Sequence, residues 1–104
     1  MDYRENTLCY EDYCQLRGSV GWVIFSKEQT LTALNKSLYT VTVFENNRAI
    51  GMGRLIGDGM YFMIADLVVD PASQKKGIGT RIINMLIGYV YRELPDGGRA
   101  SIQL

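Results

Sequence analysis

The segment from Leu67 to Thr80 contains the residues of this 104-residue chain that are best suited to bind a ligand. An apolar run ends at Pro71, two lysines follow, and Gly77 and Gly79 precede a second apolar stretch. This order predicts a buried strand, a short basic loop and the first turn of an amphipathic helix. Free backbone N–H groups in such a loop, together with a helix N-terminus, bind phosphate. The segment therefore predicts a site for a phosphate-bearing ligand.

Two short helices are predicted in the first third of the chain. The first covers residues 8–17, and glycines break the chain after it. The second covers residues 27–35, because Ser26 is a favourable N-cap. Leu31 and Leu34, three residues apart, predict a narrow buried stripe on this second helix.

Alternation of apolar and polar residues predicts strands in the rest of the chain. The predicted strands cover residues 39–45, 48–56, 60–69 and 99–104. Tight turns join the first three into an antiparallel meander. A long helix, with apolar side chains at helical spacing from Ile78 to Leu94, separates the third strand from the fourth. Such a βαβ crossover makes these two strands parallel, so a mixed sheet in a three-layer fold of the α+β class is expected.

Composition excludes several classes of protein. With 47% hydrophobic and 21% charged residues the chain is neither disordered nor fibrous. Eleven basic and eleven acidic residues cancel, so no net field favours nucleic acid or an anionic membrane. Two cysteines, Cys9 and Cys14, and no histidine make neither a metal site nor a disulfide framework. The polar N-terminus and the lack of a membrane-length apolar run predict a cytoplasmic protein.

Two common phosphate-binding motifs do not fit the loop. A nucleotide P-loop needs Gly, four residues and then Gly-Lys-Ser/Thr, and this run does not occur. A dinucleotide fingerprint needs a third glycine where Ile82 stands, and its helix does not follow a meander. What remains is a Gln-x-x-Gly-x-Gly motif starting at Gln74, after a strand that ends in Val-x-Pro.

The strand, this motif and the following helix resemble the coenzyme A loop of the GNAT family of N-acetyltransferases. The order of helices and strands is also similar to that of the family, although only residues 66–83 carry specific motifs. The resemblance implies one acyl-CoA N-acyltransferase-like domain over residues 1–104. It further implies acetyl-CoA as the cofactor and acetyl transfer to a primary amine of a small molecule or peptide.

The resemblance also implies roles for individual residues. The loop and helix N–H groups would receive the pyrophosphate, and the strand backbone would pair with the pantetheine arm. The N–H of Val69 would lie near the thioester carbonyl, where negative charge builds during attack. The lysines would add salt-sensitive attraction for phosphate. The residues implied in cofactor binding are Leu67, Val68, Val69, Gln74, Lys75, Lys76, Gly77, Ile78, Gly79 and Thr80.

Catalytic groups are harder to place. Histone-acetylating members of the family use a glutamate where this chain has Met63. Asp66 is the only acid on the predicted apolar central strand and is the candidate catalytic residue, as a proton relay through water. The alternative is a structural acid, hydrogen-bonded to backbone or to an N-terminal residue. Trp22 and Phe25 lie where family members cover the acceptor, or else they anchor their loop in the core.

The chain is shorter than the family pattern. It stops after the family's fifth main strand, and the usual C-terminal helix and strands are expected to be missing. An open sheet edge then predicts association, such as a homodimer, which light scattering would detect. The alternative function is a catalytically impaired protein that acts as a coenzyme A-binding or interaction module.

Overall fold

A computed structural model describes residues 1–104 as a five-stranded mixed sheet with helices on both faces. The elements are β1 (Asp2–Glu5), α1 (Tyr10–Ser19), α2 (Lys27–Asn35), β2 (Tyr39–Glu45), β3 (Arg48–Gly57), β4 (Tyr61–Val69), a 3-10 turn (Pro71–Ser73), α3 (Ile78–Glu93) and β5 (Ser101–Gln103). The spatial order of the strands is β1-β2-β3-β4-β5. All neighbouring strands are antiparallel except β4 and β5, which are parallel as predicted.

The N-terminal third differs most from the prediction. Strand β1 was not expected, because Asp-Tyr-Arg-Glu contains one apolar residue, and it forms through backbone pairing with β2 at the sheet edge. Helix α2 has the predicted bounds, and Ser26 caps it by accepting from the Gln29 N–H. The predicted stripe is wrong at Leu31, which is 46% exposed, because the helix buries Thr30 instead.

The larger core lies between α3 and one face of the sheet. One stripe of α3 is completely buried against β2, β3 and β4, and it consists of Ile78, Ile82, Leu86 and Val90. The helix approaches β3 so closely that a Cβ on Gly53 would lie 2.7 Å from Ile82 Cγ2. This close packing fixes the N-terminus of α3 beside the end of β4. Tyr13 and Leu16 of α1 cover the opposite face over Met52 and Val68.

Strand β4 contains a bulge that the sequence did not predict. Met52 pairs with Val68 but Arg54 pairs with Ala65, so Asp66 and Leu67 together face the single residue Gly53. Asp66 has a φ of 55°, in the left-handed region. Because the extra residue interrupts the two-residue period, side chains after it change faces.

Strand β5 covers only the beginning of β4. It pairs with Tyr61, Phe62 and Met63 and leaves the rest of that edge of β4 without a strand neighbour. The outer edge of β5 is also open, and association through it remains a prediction. None of the helices combines the length and the apolar character that crossing a bilayer requires.

Tyr39 links the sheet to the C-terminal half of α3. Its ring is buried and stacks on Tyr89 with centroids 4.5 Å apart, and its hydroxyl donates to Glu5 Oε1 at 2.5 Å. Burial, reinforced by the bond to Glu5, raises the pKa of Tyr39 to about 12. Tyr39 is therefore a core residue.

The raised pKa predicts a loss of stability at high pH. Tyrosine has a pKa of about 10 when unfolded, so the folded state holds this proton more tightly. The stabilisation is complete below about pH 10 and is lost as the pH rises towards 12, with a total change of about 2–3 kcal/mol. Urea unfolding across this range should show the extra decline in the wild type and not in Tyr39→Phe. Equal declines in the two proteins would contradict the prediction.

Candidate functional site: a phosphate cradle at the end of β4

Asp70 fastens the end of β4 to its neighbours. Its N–H donates to the Ile50 carbonyl at 2.8 Å, and its buried carboxylate accepts from the Ala72 N–H at 2.9 Å. The second carboxylate oxygen accepts from Arg48 at 2.7 Å. These bonds place the start of the loop on β3 and begin the 3-10 turn. The sequence pattern predicted no role for Asp70 or Arg48, although an Asp before Pro is a common turn signal.

An open cavity of about 360 Å³ lies between the end of β4 and the first turn of α3. Eight of the ten predicted cofactor-binding residues line this cavity, and Val68 and Lys76 do not. Its lining residues are Leu67, Val69, Ser73, Gln74, Lys75, Gly77, Ile78, Gly79 and Thr80. No carboxylate lines the cavity, so an anion entering it meets amides, hydroxyls and an ammonium group.

The loop backbone is shaped as a cradle for an anion. Lys75 and Gly77 both adopt left-handed conformations, with φ of 66° and 79°. Gly77 is the N-cap of α3 and offers no side-chain cap, so the amides of the first helical turn are without intrahelical partners. At Gly79 an added Cβ would meet nothing closer than Val69 Cγ2 at 3.8 Å. Bare backbone therefore faces the open cavity, and the space fits a diphosphate.

Strand β4 supplies the other wall. Because the Asp70 N–H bonds to β3, the alternating backbone directs the N–H and C=O of Val69 away from β3, towards the uncovered edge. The Val69 carbonyl accepts from Gln74 Nε2 at 3.0 Å, which ties the motif glutamine to the strand. Val68 faces the other way, with its side chain buried against α1.

Asp66 lies behind this wall and does not line the cavity. Its Oδ1 accepts from Arg17 Nη1 at 2.6 Å, and its Oδ2 accepts from Arg54 Nε at 2.7 Å and from the Tyr13 hydroxyl at 2.8 Å. Burial and the bond to Asp66 raise the pKa of Tyr13. The prediction that Asp66 lies in apolar surroundings is thus wrong, because β4 bulges and turns the carboxylate towards two guanidinium groups. Asp66 therefore matches the alternative of a structural acid, with Tyr13 and Arg17 as its N-terminal partners.

Arg17 also holds the loop that connects α1 with α2. Its Nε donates to the Val23 carbonyl at 2.8 Å. Its guanidinium lies 5.2 Å from the Trp22 ring centroid and 5.1 Å from that of Phe25. The two rings remain 43% and 45% exposed, so the core does not anchor this loop. A buried cation fixes it instead, with its apolar side chains facing outwards.

The comparisons with known proteins agree with the fold. The model of the acetyltransferase (GNAT) family matches residues 4–101, and the chain belongs to this family. A search of curated proteins finds no match.

Solved structures show the same architecture. A probable acetyltransferase from meticillin-resistant Staphylococcus aureus is 31% identical, with a TM-score of 0.85 over 97% of this chain and 77% of that one. A GNAT family acetyltransferase from Streptococcus pneumoniae is 28% identical, with a TM-score of 0.79 over 99% and 73%. An aminoglycoside 6'-N-acetyltransferase complexed with coenzyme A is 21% identical, with a TM-score of 0.74 over 94% and 58%, and shares the fold. The predicted family and fold class are confirmed.

Proposed function

We propose that this chain binds acetyl-CoA in the cradle and transfers the acetyl group to a primary amine of a small molecule or peptide, in the cytoplasm. The observation that carries the proposal is the left-handed backbone at Lys75 and Gly77, together with the open backbone at Gly79, beside the uncovered edge of β4. Membership of the acetyltransferase family supports it. Residues 1–104 would act as a single domain.

Different residues of the cradle would bind different parts of acetyl-CoA. Amides from Lys75 to Thr80 would receive the diphosphate, where the helix dipole also favours negative charge. The backbone of Leu67 and Val69 would pair with the extended arm in the way an added strand does. Gln74 is already bonded to Val69 and so keeps the loop against the strand.

Bound acetyl-CoA would supply an activated acetyl thioester. In the transfer, the amine nitrogen forms a bond to the acetyl carbon and the carbon–sulfur bond breaks. The amine loses a proton to water and the leaving sulfur gains one. The Val69 N–H can stabilise the charge that develops on the acetyl oxygen, because it is directed towards the uncovered edge of β4.

Binding without turnover is the second candidate. It is favoured by the absence of a carboxylate from the cavity lining and by the occupation of Asp66 by three donors. No side chain is then identified that could accept the proton from the amine or donate one to the leaving sulfur. The two candidates share the cradle and differ only in whether coenzyme A is released.

One experiment separates these outcomes. Acetyl-CoA at about a hundred times its dissociation constant should raise the melting temperature by about 10 °C. The same protein is then incubated with acetyl-CoA and a panel of primary amines, and coenzyme A is quantified by chromatography, because exposed Cys9 would react with thiol reagents. Release above background hydrolysis supports the transferase. A thermal shift without release supports the binding module, and no shift would overturn both.

A further inference from the structure

The bulge in β4 is held in a conformation that its residue does not prefer. Asp66 has a φ of 55°, and residues with a Cβ populate this left-handed region sparsely. Aspartate tolerates it better than most residues, because its short side chain can form local hydrogen bonds. Here, however, the carboxylate bonds only to distant side chains. The surrounding tertiary structure must therefore hold the bulge in place.

Four side chains make this clamp. We call Asp66, Arg17, Arg54 and Tyr13 the Asp66 clamp. The Asp66 side chain is 9% exposed and each arginine side chain is 11% exposed, so the ion pairs lie largely out of water. The donors come from α1 and from β3, and Arg54 Nη1 also donates to Ser37 Oγ at 3.2 Å. The bulge is thus tied to both the helical layer and the neighbouring strand.

The bulge decides which residues of β4 reach the cofactor cavity. Before it, Phe62 and Ile64 pack in the core under α3. Without it, the period of two would send Asp66 and Val68 to that side as well. With it, Leu67 and Val69 line the cavity, and Asp66 lies on the α1 side with the clamp. The clamp therefore fixes the strand wall of the cradle.

Arg17 extends the clamp to the surface. The same guanidinium that bonds Asp66 lies 5.2 Å from the Trp22 ring centroid and 5.1 Å from that of Phe25, and its Nε donates to the carbonyl of Val23. A shift of the bulge that moves Asp66 must move Arg17, and with it the aromatic loop of residues 22–25. The buried Arg17 guanidinium thus bonds to both the bulge and the exposed loop.

We propose that Asp66 is a positioning residue, which holds the β4 bulge so that Leu67 and Val69 face the acetyl-CoA cavity, and that Arg17 couples this bulge to the loop of residues 22–25. The ligand in this statement rests on the proposed function. The clamp acts by raising the fraction of molecules in which the cavity is competent to bind, and apparent affinity scales with that fraction.

Backbone-matched variants test the positioning role. Asp66→Ala and Asp66→Gly both remove the carboxylate, but only glycine adopts a left-handed conformation freely. Calorimetry should show acetyl-CoA affinity falling about tenfold in Asp66→Ala. Asp66→Gly and Asp66→Asn should stay within about threefold of the wild type, since asparagine also tolerates this region. Equal losses in the alanine and glycine variants would overturn the proposal. If neither the alanine nor the glycine variant folds, Asp66→Asn provides the test. A loss of kcat at unchanged affinity in Asp66→Asn would identify Asp66 as a proton carrier and overturn the positioning role.

The coupling is tested without any ligand. Trp22 is the only tryptophan of the chain, so its fluorescence reports on the loop of residues 22–25. Arg17→Met and Asp66→Ala should shift its emission, whereas Arg4→Met, which removes an exposed guanidinium outside the clamp, should not. Identical emission in the wild type and Asp66→Ala would overturn the coupling. Because this arm uses the free protein, its failure is distinct from a failure of the wild type to bind acetyl-CoA.

Discussion

Gly77→Glu should abolish detectable acetyl-CoA binding. The substitution places a carboxylate at the N-cap of α3, where the proposed diphosphate lies, and like charges at this distance cost several kcal/mol. Affinity should therefore fall by more than about a hundredfold in calorimetry. The chain should still fold, because an added Cβ at Gly77 meets no atom within 4 Å. The φ of 79° adds a stability cost of about 1–2 kcal/mol.

Gly97→Glu is the matched control for this result. Gly97 has a φ of 75°, its added Cβ also meets no atom within 4 Å, and it lies beyond the opposite end of α3. The two variants should lose similar melting temperature, yet only Gly77→Glu should lose affinity. Unchanged binding by Gly77→Glu would show that the cradle is not the cofactor site. An equal loss of affinity in Gly77→Glu and Gly97→Glu would show that the effect comes from reduced stability rather than from the added charge.

Leu86→Ala should cost about 2–5 kcal/mol of folding stability. Leu86 is fully buried on α3, next to Ile82 and under the sheet, and its removal leaves a cavity between two rigid layers. A chain of 104 residues has a total stability on the order of 5–15 kcal/mol, so this variant could be partly unfolded at physiological temperature. The urea midpoint should fall sharply, with an unchanged slope.

Tyr91→Ala is the control on the same helix. Tyr91 is 67% exposed, so its truncation should change stability by no more than about 0.5 kcal/mol. A similar midpoint for the two variants would contradict the assignment of the α3 stripe to the core. The comparison also guards against an effect of helix propensity, since both variants place alanine within α3.

Local signals predicted the elements that they encode directly. The bounds of α2 and β2 are as predicted, because a serine cap and a strict alternation need no distant partner. The long amphipathic stripe of α3 also located its buried face at Ile78, Ile82, Leu86 and Val90. In contrast, β1 exists only because β2 offers it an edge, which a sequence window cannot show.

Local sequence was enough to predict the family, the mixed sheet and the loop before α3, because the alternating strands, the Gln-x-x-Gly-x-Gly motif and the helix start are local features of the chain. The surroundings of Asp66, in contrast, depend on contacts that only the folded chain creates. Its three donors come from residues 12, 49 and 53 positions away, and no local pattern encodes such pairs. The one-residue bulge that these donors hold reverses the faces of β4. Leu67 and Val69, rather than Val68, therefore line the cavity because of tertiary packing and not because of simple alternation.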